Sequence, residues 1–343
     1  MTETAKDTVT TKICALCKAP AYRIFDGMSG YVLGTKYDVY ECSNCKSSFV
    51  DPMSNLKEEY DLIYGKENAR DAVYNYYYYI AKGVKKIKSP LHVLSDYTAI
   101  YWGVLKAFND NKIKEGAKVL EVGSGLGYFT HALNKAGYKA VGLEYSETAT
   151  NFANSFFGNN YTQGTIEDYA KNNKEKYDVV VATEVIEHVE NPVSFIGAFL
   201  EVLKPGGVII ITTPNKDVHP KGTIWETDYA PKHLWWFTEK GLNVIAKHFG
   251  KHFSLVDFTE YKENKLYNIP VGTPFEAPNK PPVVDKNGES LIKGSRGYKQ
   301  RLMQISPASL YIRIVGLYHH LTFLRKSKVD NGSMYILCAV ITK

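Results

Sequence analysis

Residues 118–130 read Lys-Val-Leu-Glu-Val-Gly-Ser-Gly-Leu-Gly-Tyr-Phe-Thr: an apolar run carrying Glu121, then Gly123, Gly125 and Gly127, then a stretch with helical patterning. A strand that ends in a glycine-rich turn and opens a helix brings backbone amides up to a ligand at the helix N-terminus. The turn departs from the dinucleotide fingerprint Gly-x-Gly-x-x-Gly, because Tyr128 stands at the third glycine position. Hydride transfer with a nicotinamide cofactor is therefore not expected.

Outward from this turn, short apolar runs alternate with helical patterns, the signature of an α/β fold with a largely parallel sheet. Strands are expected at Lys118–Val122, Ala140–Glu144, Tyr161–Gln163, Asp178–Ala182 and Val208–Thr212. Helices are expected near Leu126–Ala136, Glu147–Phe157, Glu167–Asn172 and Pro192–Leu203, the last begun by Asn191-Pro192 and stopped by Lys204-Pro-Gly-Gly207. A helix over Thr238–Phe249, a strand near Phe253–Tyr261 and a final buried strand in Ser333–Lys343 complete this unit. Two to four helices are expected between Ser54 and Asn109, where Leu56, Tyr60, Ile63, Leu91, Leu94 and Leu105 fall in helical register.

The glycine turn resembles the first motif of the class I S-adenosylmethionine-dependent methyltransferases, and four more stretches follow in that family's order. Val141-Gly-Leu-Glu144-Tyr145-Ser146 is similar to the second-strand motif and Gly164-Thr-Ile166-Glu167-Asp168 to the turn after the third strand. Tyr177–Pro192 is similar to the fourth-strand motif and Leu203–Asn215 to the fifth. The resemblance implies S-adenosylmethionine as cofactor, bound by Glu121, Gly123, Ser124, Gly125, Gly127, Glu144, Tyr145, Ile166, Glu167, Asp168 and Thr183. In that set Glu144 accepts both ribose hydroxyls, Ile166 lies against the adenine, and Glu167 or Asp168 accepts from its amine. Glu144 follows Gly123 by twenty-one residues, the spacing of a ribose clamp, and two vicinal hydroxyl donors call for a bidentate acceptor.

The resemblance also implies a Rossmann-like seven-stranded sheet whose last strand is antiparallel. The expected organisation is a four-cysteine zinc-ribbon module over 1–53, a helical lid over 54–112, the methyltransferase domain over 113–261 and 333–343, and an insertion over 262–332. This insertion, between strands six and seven, starts and ends at the carboxyl edge where open α/β sheets bind ligands, so it is expected to shape the acceptor pocket.

Methyl transfer from a sulfonium is an in-line displacement with an activated donor, so the protein must align the acceptor and, for a hydroxyl, take its proton. His188, in Glu184-Val-Ile-Glu187-His188, is the first candidate base because an ordinary imidazole titrates near neutral pH. The same Glu-x-x-Glu-His pattern is similar to that of the ubiquinone-biosynthesis O-methyltransferases, where it is associated with a divalent metal, which marks Glu184, Glu187 and His188 as a candidate Mg²⁺ site. His233, in Lys232-His-Leu-Trp235-Trp236, is the second catalytic candidate; the two tryptophans serve either as a stacking wall or as core.

Cys14-Ala-Leu-Cys17 and Cys42-Ser-Asn-Cys45 form two thiolate knuckles separated by twenty-four residues, the layout of a structural zinc ribbon with four cysteine ligands. Four sulfurs leave zinc no open position, and the metal contributes folding energy to a module too small to hold itself together. Hydrophobic residues at 44% and charged residues at 23% match an ordinary globular chain, and no uncharged apolar run is long enough to span a bilayer. Without an apolar leader behind Met1, a cytoplasmic location is expected. Charge is uneven: from Lys251 onward fourteen Lys or Arg face seven Asp or Glu, so this basic stretch is a candidate for contacting phosphate or a membrane face.

The ribbon followed by a methyltransferase domain resembles bacterial enzymes of polysaccharide and deoxysugar biosynthesis. The expected function is O-methylation of a small molecule or glycan precursor, a nucleotide-linked or phosphorylated sugar. The alternatives are an RNA methyltransferase, disfavoured because no Asn-Pro-Pro-Tyr motif follows strand four, and a non-catalytic S-adenosylmethionine-binding protein. C-methylation of a deoxysugar is disfavoured because the long C-terminal domain of those enzymes has no counterpart in this sequence.

Overall fold

The computed structural model describes residues 11–53, 72–220, 223–225, 229–264, 274–276, 281–287, 291 and 334–343. The expected helical signals at Leu56, Tyr60 and Ile63, and most of the 262–332 insertion, lie outside the described residues.

The chain opens with four antiparallel strands, β1 (Thr11–Ile13), β2 (Pro20–Ser29), β3 (Lys36–Cys42) and β4 (Ser48–Asp51). Helices α1 (Ala72–Lys86), α2 (Pro90–Tyr97) and α3 (Ala99–Asp110) follow. The proline at the start of α2 fits a position whose amide has no partner in the helix, and Thr98 caps α3 by accepting from Tyr101 N.

The α/β unit then runs β5 (Lys118–Val122), α4 (Tyr128–Lys135), β6 (Lys139–Glu144), α5 (Glu147–Phe157), β7 (Tyr161–Gln163), α6 (Ile166–Lys171), β8 (Tyr177–Thr183), α7 (Pro192–Val202) and β9 (Leu203–Pro214). After it come β10 (Thr223–Trp225), β11 (Trp235–Trp236), α8 (Glu239–Lys247), β12 (Ser254–Leu255), α9 (Thr259–Asn264), β13 (Pro274–Glu276) and β14 (Ile336–Thr342). The main sheet has seven strands in the order β12-β14-β9-β8-β5-β6-β7; β14 runs antiparallel to both its neighbours and the pairs from β9 to β7 are parallel. This is the sheet the sequence implies.

Because strand side chains alternate between faces, β8 feeds two cores. Val179 and Val181 pack with α1–α4 and β14, whereas Val180 and Ala182 pack with α6, α7 and α8. The second core does not stop at the sheet. It continues through Trp235, Phe237 and Leu234 into Tyr40, Phe49, Val50 and the buried cysteines of the N-terminal strands.

One expectation is corrected. The strand near Phe253–Tyr261 shrinks to Ser254–Leu255, and Thr259–Asn264 is helical: Asp257 accepts from both the amide and the hydroxyl of Thr259 and turns the chain. Of the two readings of Trp235 and Trp236 the core one holds, since both are buried in the second core; β11 also pairs with β4 and becomes the fifth strand of the N-terminal sheet. Among the described residues no helix is long and apolar enough to cross a membrane.

Candidate active site

The glycine turn sits at the carboxyl end of β5. Gly123 and Ser124 donate their amides to the Leu143 carbonyl at 2.8 and 3.1 Å, which fastens the turn to β6. Gly127 has φ +81°, and a Cβ there would stand 2.6 Å from the Tyr161 ring and 2.7 Å from Ala153, so only glycine fits. Gly125 differs: a Cβ would meet nothing within 4 Å, so the turn leaves room for a ligand against its backbone.

Glu144, at the end of β6, is buried, and both its carboxylate oxygens are engaged. Gly125 N donates to Oε2 at 2.7 Å and Ser146 N to Oε1 at 2.8 Å. Burial raises its pKa against the opposing pull of these amides. Each oxygen keeps a further lone pair, so the fixed carboxylate suits the two hydroxyls of a ribose. Glu121 is fully enclosed; burial pushes it up to about 8, although Thr130 donates its hydroxyl to it. The Ser124 hydroxyl is buried with no hydrogen-bond partner among the described residues.

The remaining cofactor candidates are spread along the same edge. Tyr145 is exposed beside Glu144, and Thr183 ends β8 half-buried. Ile166 is 2% exposed and packs in the core under α6. Glu167 is exposed, and Asp168 is exposed and tied to Lys171 at 2.6 Å and to Thr165 at 3.2 Å.

Beyond β8 the chain takes an unusual path. Glu184 adopts φ +56°, rare for a residue with a side chain, while its amide donates to the Thr212 carbonyl at 3.0 Å and its Oε1 accepts from the Thr212 hydroxyl at 2.8 Å. Glu187 and His188 follow in a 3-10 turn, Ile186–His188. Thr213 donates to Glu187 Oε2 at 2.9 Å, and the Glu187 carboxylate is almost completely buried. His188 Nδ1 bonds the Lys232 carbonyl, and the Glu184 backbone is a second hydrogen-bonding partner of the ring. Burial, and then the neighbouring His233, hold its pKa well below that of an ordinary histidine.

His233 is buried next to it, the two rings 4.8 Å apart at 74°. Glu187, His188 and His233 each offer one ligand atom within 4.8 Å of the others. The trio expected as a cation site is thus rearranged: Glu184 turns to Thr212, and His233 takes its place beside Glu187 and His188.

The four cysteines converge. Cys14 and Cys45 sulfurs stand 3.9 Å apart, Cys17 and Cys42 sulfurs 3.3 Å, and all four lie within 4.8 Å of one another. A tetrahedron with Zn–S near 2.3 Å sets sulfurs about 3.8 Å apart, so the donors fit that metal in number, chemistry and spacing. The knuckles are alike: Lys18 and Lys46, each after its second cysteine, have φ 60° and 62° and donate their amides to Cys14 and Cys42 carbonyls.

The described pieces of the 262–332 stretch pack against β10 and Tyr229, whose carbonyl accepts from His233 N at 2.6 Å. Strand β13 pairs with β10, Val283 and Val284 pack with Tyr31, Val32 and Tyr229, and the Tyr229 hydroxyl donates to the Pro281 carbonyl at 2.7 Å. Sequence reasoning missed the partners that hold the site, namely Thr130, Tyr161, Thr212, Thr213 and the Lys232 carbonyl. Only Thr212-Thr213, a polar pair ending an apolar strand, left a signal.

The strand order and the glycine turn at the carboxyl end of β5 define a class I S-adenosylmethionine-dependent methyltransferase fold. Residues 101–252 match the sequence model of a family described as "Methyltransferase domain". The mitochondrial ubiquinone biosynthesis O-methyltransferase of Dictyostelium discoideum is 35% identical over 150 residues, 37% of this chain and 47% of that protein. That of Aliivibrio fischeri (strain MJ11) is 35% identical over 115 residues, 30% of this chain and 46% of that protein. The chain spans about half the length of the curated relatives it matches. Among solved structures, an S-adenosylmethionine-dependent methyltransferase from Archaeoglobus fulgidus aligns at TM-score 0.40 and 16% identity over 70% of this chain and 93% of that one.

Proposed function

We propose that the chain is an S-adenosylmethionine-dependent O-methyltransferase whose acceptor is a hydroxyl on a small molecule or glycan precursor, a nucleotide-linked or phosphorylated sugar. The observation that carries the reading is the placement of His188: it is buried beside His233, its Nδ1 bonds the Lys232 carbonyl, and burial lowers its pKa, which favours the neutral ring. A neutral imidazole is the right state for accepting a hydroxyl proton as methyl transfer proceeds. The names of the ubiquinone biosynthesis relatives support oxygen as the acceptor atom.

The cofactor supplies an electrophilic methyl group. Gly123, Gly125 and Gly127 shape its seat, Glu144 holds the ribose, and Glu121 stands on β5 just before the turn. The basic 262–332 segment supports an acceptor bearing phosphate. The four cysteines support a structural zinc.

A second reading rests on the Glu187, His188 and His233 trio. Two imidazoles and one carboxylate suit a transition-metal ion or zinc better than Mg²⁺, which prefers oxygen donors. In that case Glu187, His188 and His233 would hold the ion, which would lower the pKa of an acceptor hydroxyl so that its proton could pass to solvent.

The test is incubation with S-adenosylmethionine labelled in its methyl group and a fractionated extract of source cells, followed by mass spectrometry and NMR of the labelled product. A methyl ether in the small-molecule or glycan fraction, formed in the presence of a chelator that spares the cysteine site, supports the first reading. Chelator-sensitive turnover selects the second, and label in nuclease-sensitive material overturns both.

A further inference from the structure

The four-cysteine ribbon is joined to the methyltransferase domain at both knuckles, and both joints fall on α8. At the N-terminal end, Thr238 caps the helix by accepting from Gly241 N at 3.0 Å, and the same hydroxyl donates to the Cys45 carbonyl at 2.6 Å. Ser47, two residues beyond that cysteine, accepts from Thr238 N at 3.2 Å. At the other end, His248 Nε2 donates to the carbonyl of Leu16, inside the first knuckle, at 2.8 Å. Each knuckle therefore holds one end of one helix.

The segment just before that helix carries His233, and the ribbon holds it too. Trp235 and Trp236 pair with Phe49 and Ser48, and Val50 N donates to the Leu234 carbonyl at 3.1 Å. On its other side Leu234 N donates to the Glu187 carbonyl at 2.8 Å, and the Lys232 carbonyl accepts from His188. Lys216, at the exit of β9, adds a cross-link: its amide donates to the Phe237 carbonyl, and its ammonium reaches Glu41 at 2.7 Å and the Lys46 carbonyl at 2.8 Å. The cofactor turn makes none of these contacts; it is braced by β6, Tyr161 and Ala153.

We infer that the metal-loaded ribbon is the positioning element of the acceptor-side histidines: its two knuckles clamp α8 and β11 and thereby fix His233 and the His188–Lys232 bond, with Thr238 and His248 as the positioning residues. This rests on the reading of His188 and His233 as acceptor-side groups. Its consequence is a division of labour, in which loss of the ribbon metal disorders the acceptor side and leaves the cofactor side assembled.

The test perturbs each side of the joint in the full chain. Thr238→Val removes the shared hydroxyl; in a separate sample a chelator strips the cysteine metal. Hydrogen–deuterium exchange is followed for peptides covering 232–248 and 118–145, along with calorimetric S-adenosylmethionine affinity and the rate at which diethyl pyrocarbonate acylates His188. Exchange over 232–248 should rise about tenfold, the scale of one lost buried hydrogen bond, and His188 acylation should accelerate with it. Exchange over 118–145 and cofactor affinity should stay within about twofold, a change under 0.5 kcal/mol. Thr238→Ser should return exchange over 232–248 and the His188 acylation rate to the wild-type values.

Unchanged exchange over 232–248, or an equal rise over 118–145, overturns the proposal, as does an acylation rate that stays constant while α8 loosens. None of the readouts requires an acceptor. A protein that shows this pattern but transfers no methyl group loses the reading of its reaction and keeps this one.

Discussion

The imidazoles of His188 and His233 meet edge to face, ring centres 4.8 Å apart, although one follows β8 and the other precedes β11. The contact exists because two hydrogen bonds to backbone carbonyls, from the His188 imidazole to Lys232 and from the Leu234 amide to Glu187, lace the two loops together. Burial, and then the neighbouring His233, disfavour a charge on His188. That imidazole stays neutral where an exposed histidine is half protonated. The rate of methyl transfer should accordingly be flat from about pH 8 through the ordinary histidine range near 6.5, with its acid limb displaced well below. A limb centred at an ordinary histidine pKa in a pH–rate profile contradicts this environment.

Cofactor binding should release a proton. Glu121 is held up to about 8 by burial and stays mostly protonated at neutral pH. A cationic sulfonium ligand with an ammonium group favours the ionised carboxylate and lowers that pKa. Affinity should therefore rise with pH up to about 8 and then level. Calorimetry in two buffers of different ionisation enthalpy measures the proton directly, and Glu121→Gln should abolish the release.

The same group sets a stability slope of known sign. Its folded pKa lies above the ordinary carboxylate value, so its favourable contribution is full at acid pH and is lost as pH rises through about 8. Between those limits Glu121→Gln should flatten the decline in thermal midpoint of the ligand-free protein. A parallel slope in wild type and variant contradicts the assignment.

Glu144→Ala removes the carboxylate proposed to accept two ribose hydroxyls and leaves the amides of Gly125 and Ser146 without their acceptor. Affinity for S-adenosylmethionine should fall by about 1–3 kcal/mol, the cost of a lost buried hydrogen-bonding group. Unchanged calorimetric affinity removes the ribose role.

Two glycines of one turn should behave differently. Gly127→Ala drives a methyl into Tyr161 and Ala153 and should lower global stability by about 1–3 kcal/mol, seen in denaturant unfolding. Gly125→Ala meets no protein atom, so beyond the strain of φ +51° its cost should appear in cofactor affinity. Equal losses of stability and affinity in both variants would show that the open space is not a ligand seat.

The parts of this molecule legible in the sequence are those built from local contacts. The glycine turn, the alternation of apolar runs and the Cys-x-x-Cys pairs carry their geometry within a short stretch of chain, and Glu144 follows the turn at a spacing fixed by one strand and one helix. The acceptor side is assembled across the chain. Neither the pairing of Trp235-Trp236 with Ser48-Phe49 nor the exchange of Glu184 for His233 beside Glu187 has a sequence period. Both arise because Glu184 turns at positive φ toward Thr212, and because the ribbon offers an edge strand for β11 to pair with. A two-residue strand is too short to announce itself, and a tryptophan pair reads equally well as core or as ligand wall.

The most direct test of the account is methyl transfer from labelled S-adenosylmethionine into the small-molecule and glycan fraction of a cell extract, compared between wild type and His188→Ala at saturating cofactor. The account predicts label in that fraction for wild type, with a rate reduced about 10²–10⁴-fold in the variant and calorimetric cofactor affinity within about twofold of wild type. Equal rates in the two proteins would contradict it.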